Sequence, residues 1–250
     1  MGALVVIPSR YGSVRFPGKP LALLCGKPMV QHVFERASKA SRAAHVVVAT
    51  DHQEIAQKVK DFRGNVMMTD PGARSGTDRV AEIAAARKEP VVINVQGDEP
   101  LVHPEMIDQL AEFLEANRDV PMASLMIAVQ DEAAAQNPNV VKVIVDLRGF
   151  ALYFSRAPIP YVRDANRKPN PRFFKHLGIY GYQREFVLQF PKLEPTPLET
   201  LEMLEQLRAL EHRYPIKMLE TVHDSIGVDT LEDLQQLERI LITQAAGPLR

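Results

Sequence analysis

The stretch Ala3-Leu4-Val5-Val6-Ile7-Pro8-Ser9-Arg10-Tyr11-Gly12-Ser13-Val14-Arg15-Phe16-Pro17-Gly18-Lys19 decides how this chain is read. Its first five residues form an apolar, branched run of the kind that makes a strand buried on both faces. Three cations follow at once, Arg10, Arg15 and Lys19. Gly12 and Gly18 allow close backbone approach, while Pro8, Pro17 and Pro20 stiffen the course. A cationic, glycine-containing loop at the carboxyl end of a first strand is where an α/β sheet binds a polyanion, and a nucleoside triphosphate is the expected ligand. Pro20 follows Lys19 where a GxxxxGK[ST] loop needs Ser or Thr, and no GxGxxG marks a dinucleotide fold. A solvated basic loop is the competing reading.

Outward from this loop, short apolar runs alternate with helical patterns. The strands are expected at Ala3–Ile7, His45–Thr50, Asn65–Met68, Val91–Gln96 and Ala123–Ala128. The helices are expected near Met29–Ala40, Gln53–Phe62, Thr77–Arg87 and Pro104–Asn117. This rhythm implies a mostly parallel sheet covered on both faces, with ligands at the carboxyl ends of its strands. From Asn139 the rhythm changes: Val140–Asp146 and Ala151–Ser155 flank Arg148-Gly149 as an antiparallel hairpin. Four prolines then fall between Arg156 and Arg172, an irregular arm expected to take part in a homodimer contact. Thr196-Pro197-Leu198-Glu199 reads as a capping box opening a helix to His212. A strand at Lys217–Val222 and a terminal helix from about Asp229 to Ile242 complete the pattern.

The 250 residues suit one α/β domain, with an arm or insertion at about 139–190. A formal net charge of −1 does not favour nucleic-acid binding, and no apolar run approaches the length that crosses a bilayer. With no secretory-type start either, a cytoplasmic protein is expected. Cys25 stands alone, which excludes a disulfide framework within the chain; it reads as a small buried hydrophobe.

The remaining chemistry gathers in a few segments. Asp98, in Asn94-Val95-Gln96-Gly97-Asp98-Glu99-Pro100, follows a glycine at a strand's carboxyl end and suits a Mg2+ ion held against phosphate oxygens. Asp229, in Gly227-Val228-Asp229-Thr230, is a second carboxylate that read alone is a helix cap. Ser75-Gly76-Thr77-Asp78-Arg79 offers free backbone N–H groups, with Arg79 and Arg74 adding charge, or is simply a capped helix start. Arg156 suits a bidentate carboxylate contact, and His176 and Tyr180 suit sugar hydroxyls, although His176 also fits a purely structural role. Glu202 and Gln206 share a helix face; Glu202, Glu205 and Arg208 also fit a solvated surface.

In order, IPSRYGSVRFPGKPL, VATD, SGTDR, NVQGDEP, YFSRAPIP, HLGIYGY, LEMLEQLR and GVDTLEDL closely resemble the 3-deoxy-manno-octulosonate (Kdo) cytidylyltransferases, from Val5 to Leu234. The resemblance implies a single three-layer α/β domain of the nucleotide-diphospho-sugar transferase type, dimeric, with a β-rich arm. It also implies a reaction, CTP plus Kdo giving CMP-Kdo and diphosphate with Mg2+, in lipopolysaccharide biosynthesis. By the same resemblance Arg15, Lys19, Asp98 and Asp229 are catalytic, and Asp98 and Asp229 are metal ligands. Ser9, Arg10, Arg15, Lys19, Arg74, Ser75, Gly76 and Arg79 fall on the nucleotide side. Gln96, Arg156, His176, Tyr180, Glu202 and Gln206 fall on the sugar side. Ser9, Val14 and Lys175 vary the family's pattern without removing a group that the chemistry needs.

Overall fold

The computed structural model describes residues 2–12, 16–129, 132–164 and 173–245. The chain opens with β1 (Ala3–Pro8), the short strands β2 (Leu23–Leu24) and β3 (Lys27–Pro28), and α1 (Met29–Ala37). It continues through β4 (Ala43–Thr50), α2 (Gln53–Asp61), β5 (Val66–Met68), α3 (Gly76–Ala85), β6 (Val91–Asn94), α4 (Pro104–Ala116) and β7 (Met122–Val129). Next come α5 (Glu132–Gln136), β8 (Lys142–Val145), β9 (Ala151–Ser155), β10 (Phe173–Gln183) and α6 (Arg184–Gln189). The helices α7 (Pro197–Glu202) and α8 (Gln206–Glu211), β11 (Ile216–Glu220) and α9 (Leu231–Ala245) close it.

β1 is the reason for the layered architecture. Its side chains alternate between two cores: Ala3, Val5 and Ile7 pack with Val30, Val33, Ile55 and Met106 on one face. Leu4 and Val6 pack with Val80, Ile83, Phe186 and Phe190 on the other. A strand apolar at every position is thus matched to helices on both sides. The main sheet runs β11-β7-β10-β6-β1-β4-β5, with β8 and β9 attached through β10. β1 pairs in parallel with both β4 and β6, and β4 with β5, so the loops after Pro8, Thr50, Met68 and Asn94 leave the same edge.

β10 is antiparallel to both neighbours, β6 and β7. Tyr180 pairs with Asn94, the last residue of β6, so the earlier half of β10, still paired with β7, runs on past the end of β6 beside the Gln96–Glu99 turn. A Cβ on Gly178 would lie 3.1 Å from Glu99 Oε1. The expected hairpin is present: β8 pairs antiparallel with β9, and Gly149 takes φ 78° in the turn.

Two expectations are corrected. Cys25 is exposed, because Cys25-Gly26 forms the two-residue turn between β2 and β3 with both residues at positive φ. The helix expected over Pro197–His212 is two helices, interrupted where Met203 adopts the left-handed conformation at φ 54°, ψ 47°. That interruption also turns Glu205 and Arg208 away from solvent: Arg208 is buried and forms an ion pair with Glu199.

The site edge tolerates little added volume. A Cβ on Gly97 would fall 2.8 Å from both Pro8 O and Ser9 Oγ, so the turn after β6 sits directly on the loop after β1. Gly97→Ala is expected to cost about 1–3 kcal/mol through overpacking. Thermal unfolding should register this as a Tm drop of several degrees, at about 2–4 °C per kcal/mol for a chain of this size. An unchanged Tm would show that the two loops are free to separate.

Candidate active site

Three segments far apart in the sequence meet at the Lys19 ammonium. Its Nζ donates to Asp98 Oδ2 (2.6 Å) and to the Val228 carbonyl (2.9 Å), and lies 3.4 Å from Asp229 Oδ1. Local structure sets each part. Gly18, at φ 70°, turns the chain into the short 3-10 turn Lys19–Leu21. Asp98 lies in the turn after β6, and the Val228 N–H donates to the Asp98 carbonyl (2.9 Å), locking the two acidic loops together. The helix cap at the start of α9 is not Asp229: Thr230 Oγ1 accepts from the Asp233 N–H, and Asp233 Oδ2 accepts from the N–H groups of Asp229 and Thr230. The Asp229 carboxylate is therefore turned to the site rather than spent on the helix end.

A cavity of 340 Å³ opens above this knot, lined among others by Ser9, Arg10, Gly76, Gln96, Asp98 and Asp229. Arg10 is exposed, with no ion-pair partner among the described residues, and Ser9 is buried. Arg15 lies outside the described residues. Ser75 caps α3, accepting from the Asp78 N–H while Asp78 accepts from the Ser75 N–H, so the helix-start reading of this turn holds. Gly76 still faces the cavity. Arg79 also lines it, but its guanidinium is buried and engaged by Asp51 (2.8 Å), Thr69 Oγ1 (2.7 Å) and the Asp70 carbonyl (3.0 Å). It ties the loops after β4 and β5 to α3. Arg74 is 64% exposed and reaches Asp78 and the Pro191 carbonyl, away from the residues that line the cavity.

On the other side, Gln96 donates to Asn94 Oδ1 and lines the cavity. His176 is buried on β10; Ser124 Oγ donates to the Ile179 carbonyl, so His176 Nε2 donates to Ser124 Oγ (3.0 Å). Burial lowers the His176 pKa to about 3, keeping the ring neutral with Nδ1 as an acceptor. Tyr180 is held protonated, burial raising its pKa well above the usual value. His176 lines a neighbouring cavity of 420 Å³ that shares Asp229 with the first. Arg156 and Glu202 are found elsewhere: Glu202 accepts from Ser155 Oγ and the Arg156 N–H, and the Arg156 guanidinium donates to the carbonyls of Glu202, Pro138 and Met203.

Reading the 201–208 segment as one helix missed Glu205. After the Met203 turn, Glu205 accepts from Thr77 Oγ1, next to Gly76, and burial raises its carboxyl pKa. Glu205 Oε1 and Gln206 Nε2 are buried without hydrogen-bond partners. Glu205 Oε1 is offset only by Arg208 Nη2 at 3.8 Å, and a buried donor such as Gln206 Nε2 is costly unless a polar partner completes it. The sequence signal was the adjacency of Glu205 and Gln206 at a point where two short helices replace one.

Comparison with known proteins agrees with this geometry. Residues 4–218 match the family described as Cytidylyltransferase. The 3-deoxy-manno-octulosonate cytidylyltransferase of Geobacter sulfurreducens is 48% identical over 245 residues, covering 95% of this chain and 98% of that protein. The enzyme of the same name from Idiomarina loihiensis is 48% identical over 250 residues, covering 96% of this chain and 98% of that one. A solved CMP:2-keto-3-deoxy-manno-octonic acid synthetase complexed with CTP superposes with a TM-score of 0.92 at 40% identity, covering 98% of this chain and all of that one. A 4-diphosphocytidyl-2C-methyl-D-erythritol synthase from Anaerococcus prevotii shares the fold alone, at a TM-score of 0.62 and 12% identity over 96% of each chain.

Glu99, beside Asp98, provides a pH test of the site. Burial, reinforced by the Asp98 charge and opposed by a hydrogen bond from Ser225 Oγ, raises its pKa to about 7 from 4.5. The folded chain therefore binds this proton more tightly than the unfolded one. The associated stability is complete below the unfolded value and lost as pH rises through about 7. Glu99→Gln, which keeps the Ser225 contact without the charge, should gain stability relative to wild type as pH rises. Thermal melts at about pH 5 and pH 8 should show the gap in Tm widening at the higher pH; a gap independent of pH would refute the assignment.

Proposed function

The chain belongs to the cytidylyltransferase family, and from that premise we propose that it is a 3-deoxy-manno-octulosonate cytidylyltransferase. It joins CTP and Kdo to give CMP-Kdo and diphosphate, the activated sugar serving lipopolysaccharide assembly. The observation that carries the reading is the convergence of Lys19, Asp98 and Asp229 at the mouth of a cavity bordered by Arg10 and Gly76. A cation and two carboxylates gathered there suit a metal-triphosphate substrate better than a simple anion.

The Kdo anomeric hydroxyl oxygen forms a bond to the α-phosphorus of CTP. The bond from that phosphorus to the bridging oxygen breaks, diphosphate leaves, and the hydroxyl proton is lost to solvent. Arg10, Arg15 and Lys19 neutralise the triphosphate and the departing diphosphate, and Ser9, Ser75 and Gly76 border the nucleotide. Asp98 and Asp229 would hold Mg2+: two carboxylates already aim oxygens at one cationic centre, and magnesium takes one or two carboxylates, completing its shell with phosphate and water. When bound, the ion supplies neutralisation of phosphate charge and acidification of a ligated hydroxyl.

On the sugar side, Gln96, His176, Tyr180 and Gln206 are proposed to meet Kdo, joined by Glu205. Gln206 Nε2, buried without a hydrogen bond, and Glu205 Oε1, which meets Arg208 only at 3.8 Å, support this, as one donor and one acceptor suited to a polyhydroxylated ligand. Arg156 and Glu202 enter through each other: Arg156 must exchange carbonyl contacts to reach the sugar carboxylate, and Glu202 holds its backbone. Positioning and preorganised charge supply the rate, with no covalent enzyme intermediate. We also infer a cytoplasmic homodimer; Leu147 and Leu152, exposed on the β8–β9 hairpin, support a contact there.

Diphosphate release from CTP tests the reading, with Kdo, 8-amino-Kdo, no sugar and no metal run in parallel. Release requiring both Kdo and Mg2+ is expected; silence with Kdo would overturn it. Asp98→Ala should lower turnover by about a thousandfold or more while the chain stays folded at the assay temperature, with a Tm lowered by the loss of the Lys19 partner. Wild-type turnover in that variant would remove Asp98 from the chemistry. Gln206→Ala should raise KM for Kdo by about tenfold or more and leave KM for CTP nearly unchanged; an equal rise in both would place Gln206 outside the sugar pocket.

A further inference from the structure

A second cluster of metal-ligating side chains lies outside the cavity just described. His103, Glu105 and His223 each offer one donor atom, all within 4.8 Å of one another. We propose that these three residues bind a transition-metal ion of the Zn2+ type, and that the bound ion fastens the loop carrying Asp98 to the loop carrying Asp229.

The ligand chemistry selects the ion. Two neutral imidazoles and one carboxylate are a borderline donor set that suits zinc, nickel or copper; a hard ion such as magnesium prefers oxygen. The Asp98 and Asp229 carboxylates are the opposite case, so the two sites sort different ions. Three protein ligands also leave a coordination position for water.

The rest of the fold holds the donors in place. The His103 and His223 rings stack face to face, centroids 3.7 Å apart and 8° from parallel. The stack keeps both imidazoles at one place; because a ring nitrogen's lone pair lies in the ring plane, one of the two partly buried rings turns out of the stack when both meet a single ion. His223 Nε2 and Glu105 Oε2 are 2.8 Å apart, sharing a proton that a metal ion would displace. His103 is the N-cap of α4 and its Nδ1 accepts from the Glu105 N–H at 3.4 Å, fixing the ring beside the carboxylate. Gln109, further along α4, donates to the Glu220 carbonyl at the end of β11, so the helix and the strand that lead to the donors cannot drift apart. The Glu105 side chain is 71% exposed, which leaves the site open to ions from solvent.

The consequence follows from the connectivity. His103 and Glu105 stand just after the Asp98 turn, and His223 just before Asp229. These loops are already tied by the Val228 N–H to Asp98 carbonyl hydrogen bond, by Ser225 Oγ to Glu99 and through Lys19. An ion shared by His103, Glu105 and His223 adds a further tie at the base of the same two loops.

The test is Zn2+ titration of the chelator-treated full chain, with Mg2+ present in excess to occupy hard carboxylate sites. Binding is read by competition with a chromophoric chelator, and Tm is followed in parallel. His103→Asn preserves a helix N-cap while removing the imidazole, and His223→Gln keeps a polar side chain of similar size. Wild type should bind one Zn2+ whose affinity falls at least about tenfold in each variant. Zn2+ should raise the wild-type Tm but not that of either variant, by linkage of binding to folding. Both variants should keep the wild-type Tm without metal, so a lost metal response cannot be a folding failure. No Zn2+ bound by wild type, or unchanged binding and Tm response in both variants, would overturn the proposal.

Discussion

The Lys19 ammonium is the contact on which the site depends. It is only 11% exposed, so its charge requires partners, and it finds them in the Asp98 carboxylate, the Val228 carbonyl and the Asp229 carboxylate. Each partner comes from a different part of the chain. One hydrogen-bonding centre thereby joins the loop after β1, the turn after β6 and the segment before α9. Removing the lysine would leave two carboxylates facing each other across that junction, the situation a bound divalent cation or a triphosphate complex also has to resolve. The same charge balance holds the three loops in register.

The antiparallel strand β10 supplies the second half of the architecture. In a wholly parallel sheet its end would stop at the edge with the others. Running the opposite way between β6 and β7, it carries His176 and Gly178 past the end of β6 and beside Gln96 and Glu99. Residues of the loops after β1 and β6 and residues of β10 consequently approach from opposite strand directions. Close backbone contact makes this possible: Gly97 sits against Pro8 and Ser9, where a methyl group does not fit without displacement.

Polar groups near the candidate site divide into those that are hydrogen-bonded and a few that are not. Polar side chains that line the candidate site are satisfied: Arg79 by Asp51, Thr69 and Asp70, and Ser225 by Glu99. Gln206 Nε2 has no hydrogen bond, and Glu205 Oε1 meets Arg208 only at 3.8 Å; both residues follow the left-handed turn at Met203. The His103–Glu105–His223 cluster differs in kind, being partly exposed, internally hydrogen-bonded and built of softer donors.

Patterns within a few residues were enough for much of this. The apolar run at Ala3–Ile7, the alternation of strands and helices, the Arg148-Gly149 hairpin and the acidic turn at Asp98 were all legible, because each follows from local periodicity or turn chemistry. Asp229 read locally as a helix cap; only the folded chain gives that cap to Thr230 and turns Asp229 toward Lys19. Cys25 looked like a core residue until the turn it occupies required positive φ and exposure. The continuous helix over Pro197–His212 had the right composition, yet packing against Thr77 and the ion pair of Arg208 with Glu199 accompany a break at Met203. The sequence by itself determined the layers and the cationic loop, since burial pattern and charge are properties of neighbours along the chain. Which carboxylates meet Lys19, and which imidazoles meet each other, only the tertiary structure decided, since such contacts join residues that share no local pattern.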